Sequence, residues 1–232
     1  MGRIIAIGDV HGCATELTAL LDLLSPNSDD LIIQLGDMVN RGPDSARVLK
    51  VIRENNIRSI LGNHERRLLR YRWSDDKSIL KKYDHETLAQ MDDSDWEFLE
   101  NLPPFIFNNE LQTVFVHGGF NPYSTQVWRE QAISVMTNIQ VVDSEGRPAK
   151  RSQAPEGMPW SEHWKGPPFV IYGHTPRAEV HRQPWAIGID TACVYGGHLT
   201  ACILPEREIV QVKAQEIYAH SKTLPQPTET LN

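Results

Sequence analysis

Short apolar runs that stop at or beside a glycine recur along this chain, and stretches of helical period lie between them. Ile4 to Ile7 ends at Gly8-Asp9-Val10-His11-Gly12, and Leu31 to Leu35 ends at Gly36-Asp37. Ile57 to Leu61 ends at Gly62-Asn63-His64-Glu65, Thr113 to Val116 at His117-Gly118-Gly119, and Phe169 to Tyr172 at Gly173-His174-Thr175. Runs of this length bounded by turn residues predict buried strands. Leu17, Leu20, Leu21 and Leu24 fall at helical spacing, and Ser25-Pro26-Asn27-Ser28 closes that helix. A second helix follows Pro43-Asp44-Ser45, with Val48, Leu49 and Ile52 on its inner face; Pro and Asp suit a helix start. Strands alternating with helices over short connections predict right-handed crossovers and at least partly parallel pairing. Leu199 to Leu204 and Glu208 to Val212 read instead as antiparallel strands joined at Pro205-Glu206-Arg207.

Three regions depart from this rhythm. Residues from about 65 to 102 are polar and helical in character, with Trp96, Phe98, Leu99 and Leu102 available to dock them, and Pro103-Pro104 stops them. Residues 121 to 168 hold Pro122, Pro148, Pro155, Pro159, Pro167 and Pro168 with Trp128, Trp160 and Trp164. That composition is too aromatic for a linker and suggests a long ordered loop or cap over a site. The polar tail from 221 to 232 is expected to be disordered, leaving a single domain over 1–220.

At 232 residues the chain can bury a sizeable core, and one large domain is favoured over two. A formal charge of −7 disfavours general binding to nucleic-acid backbones, though bound metal cations could still present a positive site to anions. Cys13, Cys193 and Cys202 share no metal-type spacing and read as reduced thiols. The opening residues match neither a signal peptide nor a myristoylation pattern, and no apolar stretch approaches a membrane span of roughly 20 residues. The expectation is a cytoplasmic protein that does not engage membranes.

The candidate chemistry sits at the strand ends: Asp9 and His11, Asp37, Asn63 and His64, His117, and His174. Any one of them alone reads as a turn former or a hydrogen-bonded histidine. Their repetition at one position of each strand suggests convergence on one sheet edge, where open α/β sheets place ligands. Carboxylate, imidazole and amide oxygen together suit Mn, Fe or Zn, and the lack of cysteine ligands disfavours structural zinc.

In order and over most of the chain, Gly8-Asp9-Val10-His11-Gly12, Gly36-Asp37-Met38-Val39-Asn40-Arg41-Gly42, Gly62-Asn63-His64-Glu65, His117-Gly118 and Gly173-His174-Thr175 resemble the calcineurin-like metallophosphoesterases. The nearest branch holds phosphoprotein phosphatases and diadenosine tetraphosphatases. Val39 to Ser45, Pro159-Trp160 through Pro167, and Ala186 to Gly197 look most like its ApaH-like members, which act on phosphoanhydrides. The resemblance implies an α/β fold of two packed mixed β-sheets flanked by helices. It also implies two divalent metal ions, with Mn2+ first in expectation. Asp9, His11 and Asp37 would hold one metal; Asp37 would bridge to a second held by Asn63, His117 and His174. His64 would protonate the leaving oxygen, Arg41 would clamp the phosphoryl group, and Tyr195 would approach the same pocket.

Two departures from the family pattern shape the expected substrate. Asn40 stands where phosphoprotein phosphatases carry an Asp beside the catalytic histidine. An amide stabilises an imidazolium less, so leaving groups that depart as phosphates are favoured. A further substrate arginine is replaced near Met136-Thr137-Asn138-Ile139, and Arg129 ranks ahead of Arg147 and Arg151 as its substitute. Arg66, Arg67, Arg70 and Arg72 read as a solvated helix face paired with Asp75, Asp76 or Asp92, ahead of a phosphate track. His163 and His198 read as surface residues, and Trp160 and Trp164 as loop packing ahead of base stacking.

The resulting expectation is a metal-dependent phosphohydrolase of dinucleoside tetraphosphates or polyphosphate. A serine/threonine or broad-specificity protein phosphatase acting on a phosphoprotein is the alternative. A nucleotide-binding module without turnover ranks third.

Overall fold

The computed structural model describes residues 2–221, so all but the first residue of the 221–232 tail lies outside the described residues. Strands and helices run β1 (Ile4–Ile7), α1 (Ala14–Leu24), β2 (Leu31–Gln34), α2 (Ser45–Glu54), β3 (Arg58–Ser59), α3 (Asn63–Ser74), α4 (Lys82–Leu88) and α5 (Asp93–Glu100). They continue with β4 (Phe105–Asn108), β5 (Thr113–Val116), α6 (Ile133–Met136), β6 (Val141–Val142), β7 (Pro148–Ala149), β8 (Met158–Pro159) and α7 (Trp160–His163). The last elements are β9 (Phe169–Tyr172), β10 (His181–Gln183), β11 (Ala186–Gly188), β12 (His198–Leu204) and β13 (Glu208–Lys213).

Two five-stranded mixed sheets form, in the orders β13-β12-β1-β2-β3 and β10-β11-β9-β5-β4. In each, the central strands pair in parallel: β1 with β2 and β2 with β3, β5 with β9 and β9 with β11. The period of two within each strand sorts its side chains into layers. Ala6 and Ile33 meet Phe115, Ile171 and Ile187 between the sheets. Ile5, Ile7 and Ile32 face the other way, onto Leu17, Leu20, Val48 and Leu49 of the helices. Val114, Val116, Val170 and Tyr172 pack outward on Phe120, Met136 and Trp160. Burial on both faces explains why these strands read as unbroken apolar runs.

Some elements differ from expectation. β3 is two residues long: Ile60 still donates its N–H to the Gln34 carbonyl, but Leu61 turns away and donates to the Pro103 carbonyl. β4 was hidden in sequence: Phe105-Ile106-Phe107 is a half-buried edge strand squeezed between Pro103-Pro104 and Asn108-Asn109. Residues 121–168 contain the small β7-β6-β8 sheet, whose two-residue strands carry no detectable period. Trp96 and Leu99 of α5 are buried against the helical side of the first sheet, with Phe98 and Leu102 packed on them. Trp160 is core, 1% exposed, against Tyr172 and Trp164, so its ring is committed to packing.

Candidate metal centre

Every predicted ligand follows the carboxyl end of a parallel strand or opens the helix after it, so the two sheets deliver them to one edge. Close backbone approach is part of that delivery. A Cβ on Gly173 would stand 2.1 Å from an Asp9 carboxylate oxygen, and one on Gly62 would stand 2.2 Å from the Asp37 nitrogen. His11, Asp37, Asn40, Arg41 and His174 all hold positive φ, between 47° and 74°, a conformation that the surrounding contacts must enforce.

Asp37 is the hub. Its Oδ1 lies 3.4 Å from His117 Nε2, and its Oδ2 lies 3.6 Å from His11 Nε2 and 3.9 Å from His64 Nε2. Asp9 Oδ2 is 3.9 Å from the same His11 nitrogen. On the other side His117 Nε2 is 3.1 Å from both Asn63 Oδ1 and His174 Nδ1. Two donors each about 2.1 Å from one ion lie about 3.0–3.4 Å apart at ordinary bond angles. The Asn63, His117, His174 and Asp37 oxygens and nitrogens therefore have the spacing of one coordination shell, whereas His11, 3.6 Å from the opposite Asp37 oxygen and 3.9 Å from Asp9, stands wider than that spacing.

The hydrogen bonds behind the rings decide which nitrogen each histidine offers. His11 Nδ1 meets the Val39 carbonyl at 3.0 Å, and His117 Nδ1 meets the Leu35 carbonyl at 2.8 Å. His174 Nε2 meets the Asn138 carbonyl at 3.1 Å. A carbonyl only accepts, so each of these outer nitrogens donates, and in the neutral ring the inner nitrogen would turn a lone pair to the cluster. A cation there would displace the proton that the carboxylates hold on His117 and the Arg41 N–H that meets His11 Nε2. Neutral imidazoles with inward lone pairs, together with carboxylates and an amide oxygen, fit divalent metals.

His64 is built the opposite way. Its Nδ1 faces two nitrogen donors, Asn40 Nδ2 at 2.8 Å and Arg67 Nη2 at 3.3 Å. That nitrogen must accept, so the ring proton sits on Nε2, which points toward Asp37. Distance alone groups His64 with His11 and Asp37 as possible ligands; the hydrogen bonds separate it as a donor.

The electrostatics follow from burial. Burial and then the Arg41 guanidinium hold the His11 ring down to about 3. Burial and then His117 do the same to His174, also to about 3. Burial presses His117 down as well, but Asp37, Asp9 and Glu65 override it and raise the ring to about 10. Burial, followed by the Asp190 carboxylate, pushes Asp9 well above the usual carboxylate range. A cation at the hub would answer the same buried negative charge that a proton on His117 answers.

Around the hub lie residues not singled out from sequence. Glu65, 0% exposed, accepts the backbone N–H groups of Asp37, Met38, Val39 and Gly62 at 2.8–3.2 Å. Burial and then Asp37 raise its carboxyl to about 7. Asp190, past the end of β11, is buried; burial raises it to about 6, although the Ala192 N–H and Arg41 oppose this. Lys150 follows β7 and is half-buried; burial and then the neighbouring cations Lys81 and Arg67 hold its ammonium below the ordinary value. No sequence period marks Lys150, since the strand before it is two residues long. Asp190 could have been noticed as another carboxylate after a strand and glycine.

Arg41 donates to His11 Nε2 at 2.6 Å, with its guanidinium 5.4 Å from the Tyr195 ring centroid, so both predicted pocket residues meet the cluster. Arg129 is exposed over Trp128, which packs on Phe105, Phe107 and Phe120; none of its described contacts reaches the cluster. Arg147 pairs with Asp143 and Glu145 at the surface. The arginine run of α3 divides: Arg67 joins Asp84 beside His64, while Arg72 pairs with Glu100 and covers Trp96. For Arg67 and Arg72 these partners replace the acids expected at Asp75 and Asp92, while the Ser78 hydrogen bonds and, behind them, Arg70 lower the Asp76 carboxyl.

The family model for calcineurin-like phosphoesterases matches residues 2–216. The chain is 28% identical over 248 residues to the asymmetrical bis(5'-nucleosyl)-tetraphosphatase PrpE of Oceanobacillus iheyensis, covering 95% of this chain and 96% of that one. It is 28% identical over 259 residues to the symmetrical bis(5'-nucleosyl)-tetraphosphatase of Nitrosomonas europaea, covering 89% and 97%. A crystal structure described as that of a candidate diadenosine tetraphosphatase superposes with a TM-score of 0.81 at 30% identity, covering 92% of this chain and 94% of the other.

Proposed function

We propose, for a chain that belongs to the calcineurin-like phosphoesterase family, that it is a metal-dependent hydrolase of phosphoanhydrides, with dinucleoside tetraphosphates ahead of polyphosphate as substrates. The observation that carries this reading is the opposed wiring of the histidines. His11, His117 and His174 donate outward to backbone carbonyls, which frees their inner nitrogens to bind a cation, whereas His64 accepts outward and turns an N–H inward. Asp9, His11 and Asp37 would hold one divalent ion, and Asp37, Asn63, His117 and His174 a second, with Mn2+ the expected metal. Bound there, the ions would supply Lewis acidity toward phosphoryl oxygens and activate water for attack on phosphorus.

The chain's own groups then do the rest. Arg41, steadied on Tyr195, offers a planar fork to phosphoryl oxygens. His64 Nε2–H hydrogen-bonds the departing oxygen. A neutral imidazole gives up its remaining proton reluctantly, so this arrangement serves leaving groups that depart as anions. A phosphate released from an anhydride does so; a serine alkoxide does not. The curated relatives named as tetraphosphatases support the same substrate class.

The test is a comparison of kcat/KM on chelator-treated protein reloaded with Mn2+, using diadenosine tetraphosphate, polyphosphate, a phosphopeptide and an aryl phosphate. The tetraphosphate should be turned over best. Faster turnover of the phosphopeptide would establish the protein-phosphatase alternative instead.

A further inference from the structure

We propose that Asp84, remote in sequence from every predicted site residue, is a positioning residue that holds the Asn40 amide in the one orientation that keeps the His64 ring proton on Nε2. The consequence for specificity rests on the phosphoanhydride reading above; the hydrogen-bond arrangement does not.

Asp84 lies on α4 and is 0% exposed. Its Oδ1 accepts from Asn40 Nδ2 and from Arg67 Nη2, both at 2.8 Å. Its Oδ2 accepts from Arg67 Nε at 2.7 Å and from the Lys81 backbone N–H at 2.6 Å. A carboxylate paired with a guanidinium in this way is ionised and can only accept. Asn40 must therefore present its NH2 to Asp84, and the second hydrogen of that same nitrogen points at His64 Nδ1, 2.8 Å away. Arg67, which can only donate, approaches the same Nδ1 at 3.3 Å. With both neighbours donating, His64 Nδ1 holds a lone pair.

The arrangement leaves a visible mark. Asn40 Oδ1 is buried with no hydrogen-bond partner among the described residues. Turning the amide over would put that oxygen 2.8 Å from an Asp84 oxygen in place of the present bond, so the orphaned carbonyl is the lesser penalty. Asn40 and Asp84 are thus a matched pair. A carboxylate at position 40 would accept from His64 Nδ1–H, but only if the charge at position 84 were removed.

The first readout is independent of substrate. In the wild-type protein loaded with diamagnetic Mg2+, 15N spectra of labelled histidine should show His64 with Nδ1 unprotonated and Nε2 protonated. A ring protonated at Nδ1, or one averaging between the two forms, overturns the proposal whether or not any variant folds. The second readout is a cycle of Asp84→Asn, Asn40→Asp and the double variant. Asp84→Asn should let the amide turn, mix the tautomers, and lower kcat on diadenosine tetraphosphate by about tenfold with KM little changed. Asn40→Asp alone sets two carboxylates against one arginine and should lose activity. The double variant should exceed the product of the singles by about tenfold and gain most on alkyl phosphates. Additive singles with an unchanged leaving-group dependence would refute the role of Asp84. An intact tautomer in a protein that hydrolyses no anhydride would refute the substrate reading alone.

Discussion

Glu65 accepts the backbone N–H of Asp37 at 2.9 Å, and through the adjoining N–H groups of Met38 and Val39 it fastens the loop that carries the hub carboxylate. The same carboxylate caps α3 by accepting from Gly62 at 3.1 Å. One buried side chain thus fixes Asp37, at φ 54°, and the start of the helix that bears Asn63 and His64. Glu65→Ala should strand several buried donors and cost about 1–3 kcal/mol for each left unpaired. Urea unfolding of the chelated protein checks the stability loss, and metal titration should show weaker binding. A variant with unaltered metal affinity would show that the loop holds its shape without Glu65.

Metal removal should destabilise the protein, since buried Asp9, Asp37 and Asp190 then lack a compensating cation. A metal at about 100 times its dissociation constant contributes about 2.7 kcal/mol, or roughly 5–10 °C in Tm for a domain of this size. Differential scanning calorimetry with and without Mn2+ measures it, and coincident melts would exclude metal binding at this cluster.

Arg41→Lys should lower kcat/KM on diadenosine tetraphosphate by roughly ten- to hundredfold, because an ammonium cannot replace two parallel charge-assisted bonds. Tyr195→Phe should be nearly neutral, whereas Tyr195→Ala should follow the arginine variant, since the ring beneath the guanidinium steadies it. Steady-state kinetics on the three variants distinguishes ring from hydroxyl; equal losses in the two tyrosine variants would give the role to the hydroxyl.

Lys150 feels the charges of Lys81, Arg67 and Asp37 and is the half-buried cation of the 121–168 segment nearest the candidate site in charge terms. Lys150→Ala should raise KM for diadenosine tetraphosphate by about tenfold and leave a small aryl phosphate little changed. Arg129→Ala should leave both alone. A reversed pattern would return the substrate cation to Arg129.

By itself the sequence determined the order of strands and helices and the positions of the candidate ligands, while the two-sheet architecture came from the resemblance of those motifs to a known family. The order and the positions rest on local signals: an apolar run marks a strand, and Asp9, Asp37 and His174 lie within three residues of its end. Glycines such as Gly173 mark the close approaches that bring those ends together. Only the tertiary structure decided what each group can do there. Which nitrogen His11, His64, His117 and His174 present depends on partners brought together by pairing and packing, including the Leu35 carbonyl 82 residues before His117. Asp84 reaches Asn40 across 44 residues, and Lys150 follows a strand too short to carry a period. Metal-ligand types are legible in a linear chain because they are residue identities at strand ends. The direction of a hydrogen bond is a relation between two elements, and it exists only once both are packed.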